Sequence, residues 1–260
     1  MNQPDAKSVV VGINGSQAAV NAAKWAIDEA LSRQMPLRLV YVIPRRAAQI
    51  GSAPSSEWEL ERAEMALSKA DCAVQSVAKS AGNPVEVETA VLSGDPAQVL
   101  INESQDAALV CVGTSRRVWA SDGLLGPTAA ALVARAQSPV AIIRTNPDGS
   151  PTELGVIAVV LNDEPDNDEV VHQAMEEGRR RHATVRQIDR RLNSWVRRYP
   201  DVHVQTVAAG TGVKSGEKQS NAIELAVVGS ADADEIAGLA TPNCHPIVGY
   251  PDCSVLVVRH

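Results

Sequence analysis

Two glycine-containing loops follow apolar segments of the chain and have residue types suited to binding an anion. One reads Gly12-Ile13-Asn14-Gly15-Ser16, and the other begins at Gly113-Thr114-Ser115-Arg116 and leads to Leu124-Leu125-Gly126-Pro127-Thr128. Glycine permits close approach of the backbone, and a helix N-terminus offers free N–H groups to a phosphate. Thr128 can cap its helix or donate its hydroxyl to a phosphate. Ordinary turns and caps use the same residue types, so spacing alone leaves both interpretations open.

The segments around these loops predict where the loops lie. Apolar, β-branched segments alternate with Ala-rich stretches of helical spacing, such as 18–31, and they lie at 8–13, 36–43, 85–92, 107–113 and 138–144. This alternation predicts parallel β-α-β units with helices on both faces of the sheet. In such a sheet, ligands bind beyond the carboxyl ends of the strands, where the winding reverses. The loops after the first and fourth strands are therefore expected to meet there.

The second part of the chain repeats this pattern. Its apolar segments lie at 155–161, 184–188, 202–208, 223–229 and 254–259. Asn14 matches Asn162 and Glu29 matches Glu177 at an offset of 148 residues, whereas Gly113 matches Gly229 at an offset of 116. The second part therefore lacks about 32 residues, most of them from the 45–82 segment. The sequence predicts an α/β fold of two tandem doubly wound domains, 1–146 and 154–260, each with a five-stranded parallel sheet flanked by helices.

The amino-acid composition limits the kinds of molecule that the chain is expected to bind. The chain has 260 residues, no Phe, 3% aromatic residues and a net charge of −7, and residues 147–260 hold most of that charge. Such a chain is a poor candidate for binding nucleic acid or an anionic membrane. No apolar stretch approaches the roughly 18 residues of a membrane span, and the first residues show no export signal. Four cysteines without a CxxC pair favour a cytoplasmic location.

Several motifs resemble those of the universal stress protein family. They are VVVGINGS at 9–16, GDPAQVL at 94–100, LVCVGTS at 109–115 and LLGPTAAALVARAQSPVAIIR at 124–144, with weaker echoes in the second half. The first half resembles one such domain, and the whole chain resembles a tandem member. The resemblance implies an adenine-nucleotide pocket, pairing of domains through the last strand, and no established catalytic turnover.

The family's nucleotide motif is G-x2-G-x9-G followed by Ser or Thr, with an Asp at the end of the first strand. Gly113 and Gly126 match its first and third glycines, whereas Arg116 replaces the second. Pro127 takes the Ser/Thr position, with Thr128 next, and Asn14 replaces the Asp. Asparagine can hydrogen-bond a ribose or phosphate but lacks the charge that would hold Mg²⁺.

The resemblance implies one ATP in the first half. The backbone of Val42 would contact adenine, Asn14 would reach ribose or phosphate, and Gly113, Arg116, Gly126 and Thr128 would surround the phosphates. The second half, with Asp232 and Asp234 near its motif, is expected to bind no nucleotide. We therefore expect a stress-response regulator, not an enzyme, with no catalytic or metal-ligating residues.

Two alternatives remain open at this stage. One is a degenerate stress protein that binds no nucleotide and acts as a homodimer or by pairing with other stress proteins through the last strands. The other is a weakly ATP-hydrolysing enzyme, against which the missing Mg²⁺ carboxylate argues.

Two further features concern surfaces. The arginines of 179–198 include Arg179, Arg180 and Arg181 in the last turn of a predicted helix, where positive charge offsets the helix dipole. A solvated helix end is the favoured interpretation, with a nucleic-acid or partner patch as the alternative. Trp58, in the acidic segment EWELERAE, covers either the nucleotide pocket or a partner surface.

Overall fold

The first five strands form a parallel sheet with helices on both faces. In the computed structural model they are β1 (Ser8–Ile13), β2 (Leu37–Pro44), β3 (Val87–Gly94), β4 (Ala107–Ser115) and β5 (Val140–Thr145). The helices between them are α1 (Gln17–Arg33), α2 (Ser56–Ser80), α3 (Pro96–Glu103) and α4 (Pro127–Arg135). The structure describes residues 7–44, 56–115, 125–146, 148–151, 155–159, 167–188, 193–207, 223–230 and 253–259.

The later elements repeat this arrangement in shorter form. They are β6 (Val156–Val159), α5 (Asn167–Arg181), β7 (Thr184–Ile188), α6 (Asn193–Val196), β8 (Val204–Val207), β9 (Ile223–Val228) and β10 (Ser254–Val257). In the described residues the strands form one ten-stranded sheet of order β3-β2-β1-β4-β5-β10-β9-β6-β7-β8. Each set of five therefore has the same doubly wound order. The predicted fold class, parallel sheets flanked by helices, is confirmed.

The two sets of strands are joined at their last members. β5 and β10 run antiparallel, with Val140 opposite Val257 and Ile142 opposite Val255, and their other neighbours are β4 and β9. Both last strands are thus paired on both sides within one chain. The two sets of elements therefore pair through their last strands, as the resemblance implies, and neither of these strands presents a free edge to a second molecule there.

Small side chains allow the helices to pack closely on the sheet. Val9 and Val11 of β1 belong to the core beneath α1 and α2, and Val10 belongs to the core beneath α3 and α4. β1 is therefore buried on both faces, as a central parallel strand requires. The α1 residues in this core include Ala19, Ala22, Ala23, Ala26 and Ala30. Alanine brings a helix near the valine surface without large side chains, which is how this core forms without Phe.

The arginines at the end of α5 are mostly not solvated, which corrects the favoured interpretation of that stretch. The side chain of Arg181 is 5% exposed and that of Arg180 is 14% exposed, and both form ion pairs with Glu29 of α1. Arg179 is 41% exposed and pairs with Asp201. Glu29 lies in α1, whereas Arg180 and Arg181 lie in α5, so these ion pairs join the two sets of elements.

Candidate functional site

The register of the parallel strands brings the ends of β1, β2 and β4 to one edge of the sheet. Gly12 pairs with Val40 of β2 and with Val112 of β4. Asn14 and Val42 therefore lie level with each other, one residue beyond the Ile13–Tyr41 pair, and Gly113 follows Val112. The helices after β1 and before β4 lie on opposite faces, so the winding reverses between β1 and β4. This is the place where open α/β sheets bind ligands.

Asn14 is exposed at the start of the loop that opens α1. Its Oδ1 accepts a hydrogen bond from the Ser16 N–H at 3.0 Å, and the Ser16 Oγ accepts one from the Ala19 N–H at 3.2 Å. Gly15, between them, has φ +82°, a conformation that favours glycine. The carboxamide oxygen thus shapes the loop, while the Nδ2 group keeps its capacity to donate to a ligand oxygen.

Gly113 is required by packing. A Cβ built at this position would lie 2.0 Å from the Ala18 carbonyl oxygen and 2.6 Å from the Ala19 nitrogen. The first turn of α1 therefore occupies the space that any larger residue at 113 would need. The glycine identity is explained by the approach of α1 to β4, and only the backbone of Gly113 remains for a ligand.

Gly126 differs, because neither its backbone nor its surroundings require glycine. It is the N-cap of α4 with φ −64°, it is exposed, and a Cβ there would have no heavy atom of the described residues within 4 Å. Pro127 follows at the first helical position, where the lack of an N–H is tolerated. The N–H groups of a first helical turn have no partners within the helix, so this helix start has the chemistry to bind an anion.

Thr128 and Val42 have more limited roles. Thr128 is half-buried in the first turn of α4, and the cap of that helix is Gly126, so Thr128 does not cap it. Of the two predicted roles, donation of its hydroxyl remains. Val42 is 9% exposed in the core and pairs with Leu92 of β3. It can therefore offer a ligand little more than its backbone.

Some predicted positions lie outside the described residues. These include Arg116 and the rest of 116–124, which connect β4 to α4, and the acidic positions Asp232 and Asp234 of the second half. The structure thus brings together Asn14, Val42 and Gly113 by strand register and places Gly126 and Thr128 at the start of α4. Among the described residues, no group of three His, Cys, Asp or Glu side chains could hold a metal ion.

Asn21 is a buried polar residue near this edge that was not predicted from the sequence. Its Nδ2 donates to the Thr145 Oγ1 at 3.0 Å and to the Gly149 carbonyl at 3.2 Å, and its Oδ1 accepts from Gln17 Nε2 at 3.1 Å. These bonds hold the turn after β5 against the first turns of α1. The available signal was an asparagine within the alanine stripe of α1, since a buried amide needs partners.

No helix in the part of the chain that the structure describes is long and apolar enough to cross a membrane.

Of the described cysteines, Cys111 and Cys253 are buried and Cys72 is exposed. Burial raises the pKa of the Cys111 thiol well above its ordinary value, and Glu29 adds to the effect. Cys111 is thus a protonated core residue of β4, as its apolar segment predicts.

Comparison with known proteins places the chain in a family. The model of the universal stress protein family matches residues 6–144. A universal stress protein of Mycobacterium tuberculosis is 36% identical over 273 residues, covering 99% of this chain and 98% of that protein. Another from the same organism is 36% identical over 263 residues, covering 92% and 94%.

The fold agrees with this match. The crystal structure of a universal stress protein from Archaeoglobus fulgidus superposes with a TM-score of 0.69 at 14% identity, covering 98% of this chain and 97% of that chain. The agreement extends over both sets of five strands. The chain belongs to the universal stress protein family.

Proposed function

We propose that this chain is a stress-response regulator that binds one adenine nucleotide, ATP, at the carboxyl edge of β1, β2 and β4, and that it has no strong catalytic activity. The observation that carries the proposal is Gly126. This glycine at the N-terminus of α4 has an ordinary φ and open space around its Cβ position. Packing does not explain why residue 126 is a glycine. The close approach of a phosphate to the start of α4 does explain it.

The neighbouring residues support the same ligand. The Nδ2 group of Asn14 donates to a ribose or phosphate oxygen, and the backbone at Val42 contacts the base. Because the Val42 side chain is buried and the chain has few aromatic residues, backbone and aliphatic contacts hold the adenine. Arg116, on the segment before α4, supplies positive charge to the phosphates.

Asn14 in place of a carboxylate makes this binding independent of a divalent cation. An amide is a weaker Mg²⁺ ligand than a carboxylate, because Mg²⁺ is held in proteins mainly through carboxylates and phosphates. ATP would then contact the chain chiefly through backbone N–H groups, Thr128 and Arg116. The same absence of a metal-holding carboxylate disfavours rapid phosphoryl transfer, which depends on a metal to neutralise developing charge.

The test is analysis of gently purified protein for co-purified nucleotide, followed by calorimetric titration of ATP with and without Mg²⁺. The proposal expects bound adenine nucleotide, and an ATP affinity that changes little when Mg²⁺ is omitted. Protein free of nucleotide that gives no heat with ATP would support the degenerate alternative. Steady release of ADP and phosphate would support the hydrolytic one.

A further inference from the structure

A cavity of about 400 Å³ lies between α5 and the residues of α6 and the turn that follows it. Among the described residues, its walls are the rings of His172, Trp195 and Tyr199 together with four charged side chains. Small-molecule sites in proteins have volumes of about 300 to 1,000 Å³, so this cavity is large enough for a small ligand. α5 packs on β6, β7 and β9, whereas the proposed nucleotide site lies at β1, β2 and β4. The cavity is therefore a separate place in the fold.

The three rings of the cavity wall form a close cluster. Their centroids are 6.2 to 6.4 Å apart, and the Nδ1 atom of His172 lies 2.5 Å from the Tyr199 hydroxyl oxygen. Tyr199 is buried, whereas His172 and Trp195 are half-buried. In a chain with only 4 Trp and 3 Tyr residues, this concentration of rings gives the cavity a flat and largely apolar wall.

Two of the four charged side chains already have partners in the protein. The guanidinium of Arg179 donates to both carboxylate oxygens of Asp201, at 2.6 and 3.0 Å, and to Glu176 at 2.9 Å. Glu169 accepts a hydrogen bond from Gln173 Nε2 at 3.0 Å. These contacts satisfy Arg179 and Glu169 without a ligand.

The other two charged side chains, Asp168 and Arg198, have opposite charges and no ion-pair partner among the described residues. Arg198 is exposed, and its guanidinium lies 4.7 Å from the ring centroid of Trp195, which holds it beside the cavity. Asp168 is exposed in the first turn of α5. Both side chains line the cavity, but they form no ion pair with each other. A ligand that carries both charges would join them across the cavity.

We propose that this cavity binds the zwitterion of an aromatic amino acid. The carboxylate of the ligand pairs with Arg198, its ammonium group pairs with Asp168, and its ring lies against Trp195 and His172. A guanidinium is well suited to a carboxylate because it donates two parallel hydrogen bonds to it. A spherical cavity of about 400 Å³ is about 9 Å across, which is enough for a ligand of this size.

The mixed charge of the cavity walls disfavours ligands of a single charge. The carboxylates at the start of α5 would repel the phosphates of a nucleotide. A simple cation would bind over the ring faces of Trp195 and Tyr199. Guanidinium groups already lie over one face of each of these rings, at 4.7 and 4.6 Å from the centroids, and would repel a second cation. A zwitterion satisfies both kinds of charge.

The experiment is an NMR titration of the full chain with three probes that share a phenyl ring. L-Phenylalanine carries both charges, phenethylamine lacks the carboxylate, and 3-phenylpropionate lacks the ammonium group. We expect L-phenylalanine to bind with a millimolar or lower dissociation constant and about tenfold more tightly than either analogue, because each analogue loses one charge pair. Equal affinity for the three probes, or no binding of L-phenylalanine at about 20 mM, overturns the proposal.

Substitutions identify the side chains that bind the probe. Arg198→Gln is expected to lower the affinity for L-phenylalanine about tenfold, to near that for phenethylamine, and Asp168→Asn to lower it about tenfold, to near that for 3-phenylpropionate. Arg197→Gln is the matched control, because Arg197 is an exposed neighbour of Arg198 that is not among the residues lining the cavity, and it is expected to change the affinity less than about threefold. Circular dichroism verifies that each variant is folded.

Unchanged binding of L-phenylalanine by Arg198→Gln or by Asp168→Asn overturns the proposal. A loss of affinity in Arg197→Gln equal to that in Arg198→Gln also overturns it, because the effect would then reflect the general charge of this surface. These titrations contain no nucleotide, so their outcome is separate from the test of the proposed function.

Discussion

Glu29 of α1 and Glu177 of α5, two fully buried carboxylates at matching positions of the repeat, share one guanidinium. Arg180 Nη1 lies 2.5 Å from an Oε1 atom of each. Arg181 also contacts both, at 3.0 Å from Glu29 and 2.8 Å from Glu177, and its guanidinium lies 4.1 Å from the Trp25 ring centroid. This cluster joins the two sets of elements on the α1 face of the sheet.

The pKa values of the two carboxyl groups are shifted in opposite directions. Burial raises the pKa of Glu177 to about 7, and the charge of Glu29 contributes to the shift. Burial also opposes ionisation of Glu29, but Arg180 and Arg181, together with Glu177 and Arg33, outweigh it and lower the Glu29 pKa. At neutral pH the cluster therefore holds one firmly ionised carboxylate and one that is close to its titration midpoint.

Glu177→Gln is expected to change how stability depends on pH. Because the folded-state pKa of Glu177 is about 7 against an ordinary value of 4.5, the folded protein holds more protons than the unfolded chain between these values. The contribution of Glu177 is thus fully present below about pH 4.5 and is lost as pH rises through about 7. Glutamine stays neutral, so the variant does not show this loss. Between pH 5 and pH 8, the free energy of unfolding of the native chain is expected to fall by about 2 kcal/mol more than that of the variant. Urea unfolding at several pH values measures this difference. Parallel plots of unfolding free energy against pH for the variant and the native chain would contradict the prediction.

Arg181→Ala is expected to lower the free energy of unfolding by about 3 to 5 kcal/mol, because it leaves buried carboxylates short of a partner. Arg179→Ala is a matched control in the same helical turn. Arg179 is 41% exposed and pairs with the half-exposed Asp201, so its loss is expected to cost about 1 kcal/mol or less. Chemical denaturation compares the two, and equal losses would argue against the buried cluster.

Gly113→Ala is expected to destabilise the fold by about 3 kcal/mol or more, because the added methyl would meet the Ala18 carbonyl of α1. Gly126→Ala, with no described atom near the new methyl, is expected to cost only about 0.5 to 1 kcal/mol, because alanine is a poorer N-cap than glycine. Thermal or urea unfolding of both variants makes the comparison. A Gly113→Ala variant as stable as the native chain would show that α1 does not approach β4 so closely.

The sequence predicted those features that leave a local or periodic signal. Strands such as 8–13 are apolar on both faces, and the match of Glu29 with Glu177 follows from the repeat. The burial of Arg180 and Arg181 was missed, because their partner Glu29 is about 150 residues away and only the fold brings it near. In the sequence, nothing distinguishes a buried arginine in the last turn of a helix from a solvent-exposed one, because both offset the helix dipole.

The candidate site, like the fold, was predicted from the sequence only in part. Asn14, Val42 and Gly113 could be placed at one edge because parallel strands align their carboxyl ends. The different roles of Gly113 and Gly126 could not be separated, since a packing glycine and a ligand-facing glycine are identical in sequence. Similarly, nothing local to residues 138–144 shows that β5 meets β10, a pairing that depends on the distant end of the chain.

Asn14→Asp is expected to make ATP binding depend on Mg²⁺. The Asp Oδ1 can still accept from the Ser16 N–H, so the loop keeps its shape, but the variant loses the Nδ2 donor and gains a negative charge. Without Mg²⁺, repulsion from phosphate is expected to weaken ATP binding about tenfold, and Mg²⁺ is expected to restore most of it. Calorimetric titration with and without the cation measures both values. Unaltered ATP affinity in the absence of Mg²⁺ would place Asn14 away from the phosphates.

The most direct test of the nucleotide site is ATP titration of the native chain, Gly126→Asp and Gly155→Asp. Both glycines have open space around the Cβ position and an ordinary φ, so both variants should fold. Gly155 precedes β6, five strands from β1 in the sheet and about 24 Å away at 4.8 Å per strand. The predicted result is binding to the native chain and Gly155→Asp, with loss of at least 100-fold in Gly126→Asp, where a carboxylate faces the phosphates. Equal ATP affinity in all three proteins would contradict a nucleotide site at the start of α4.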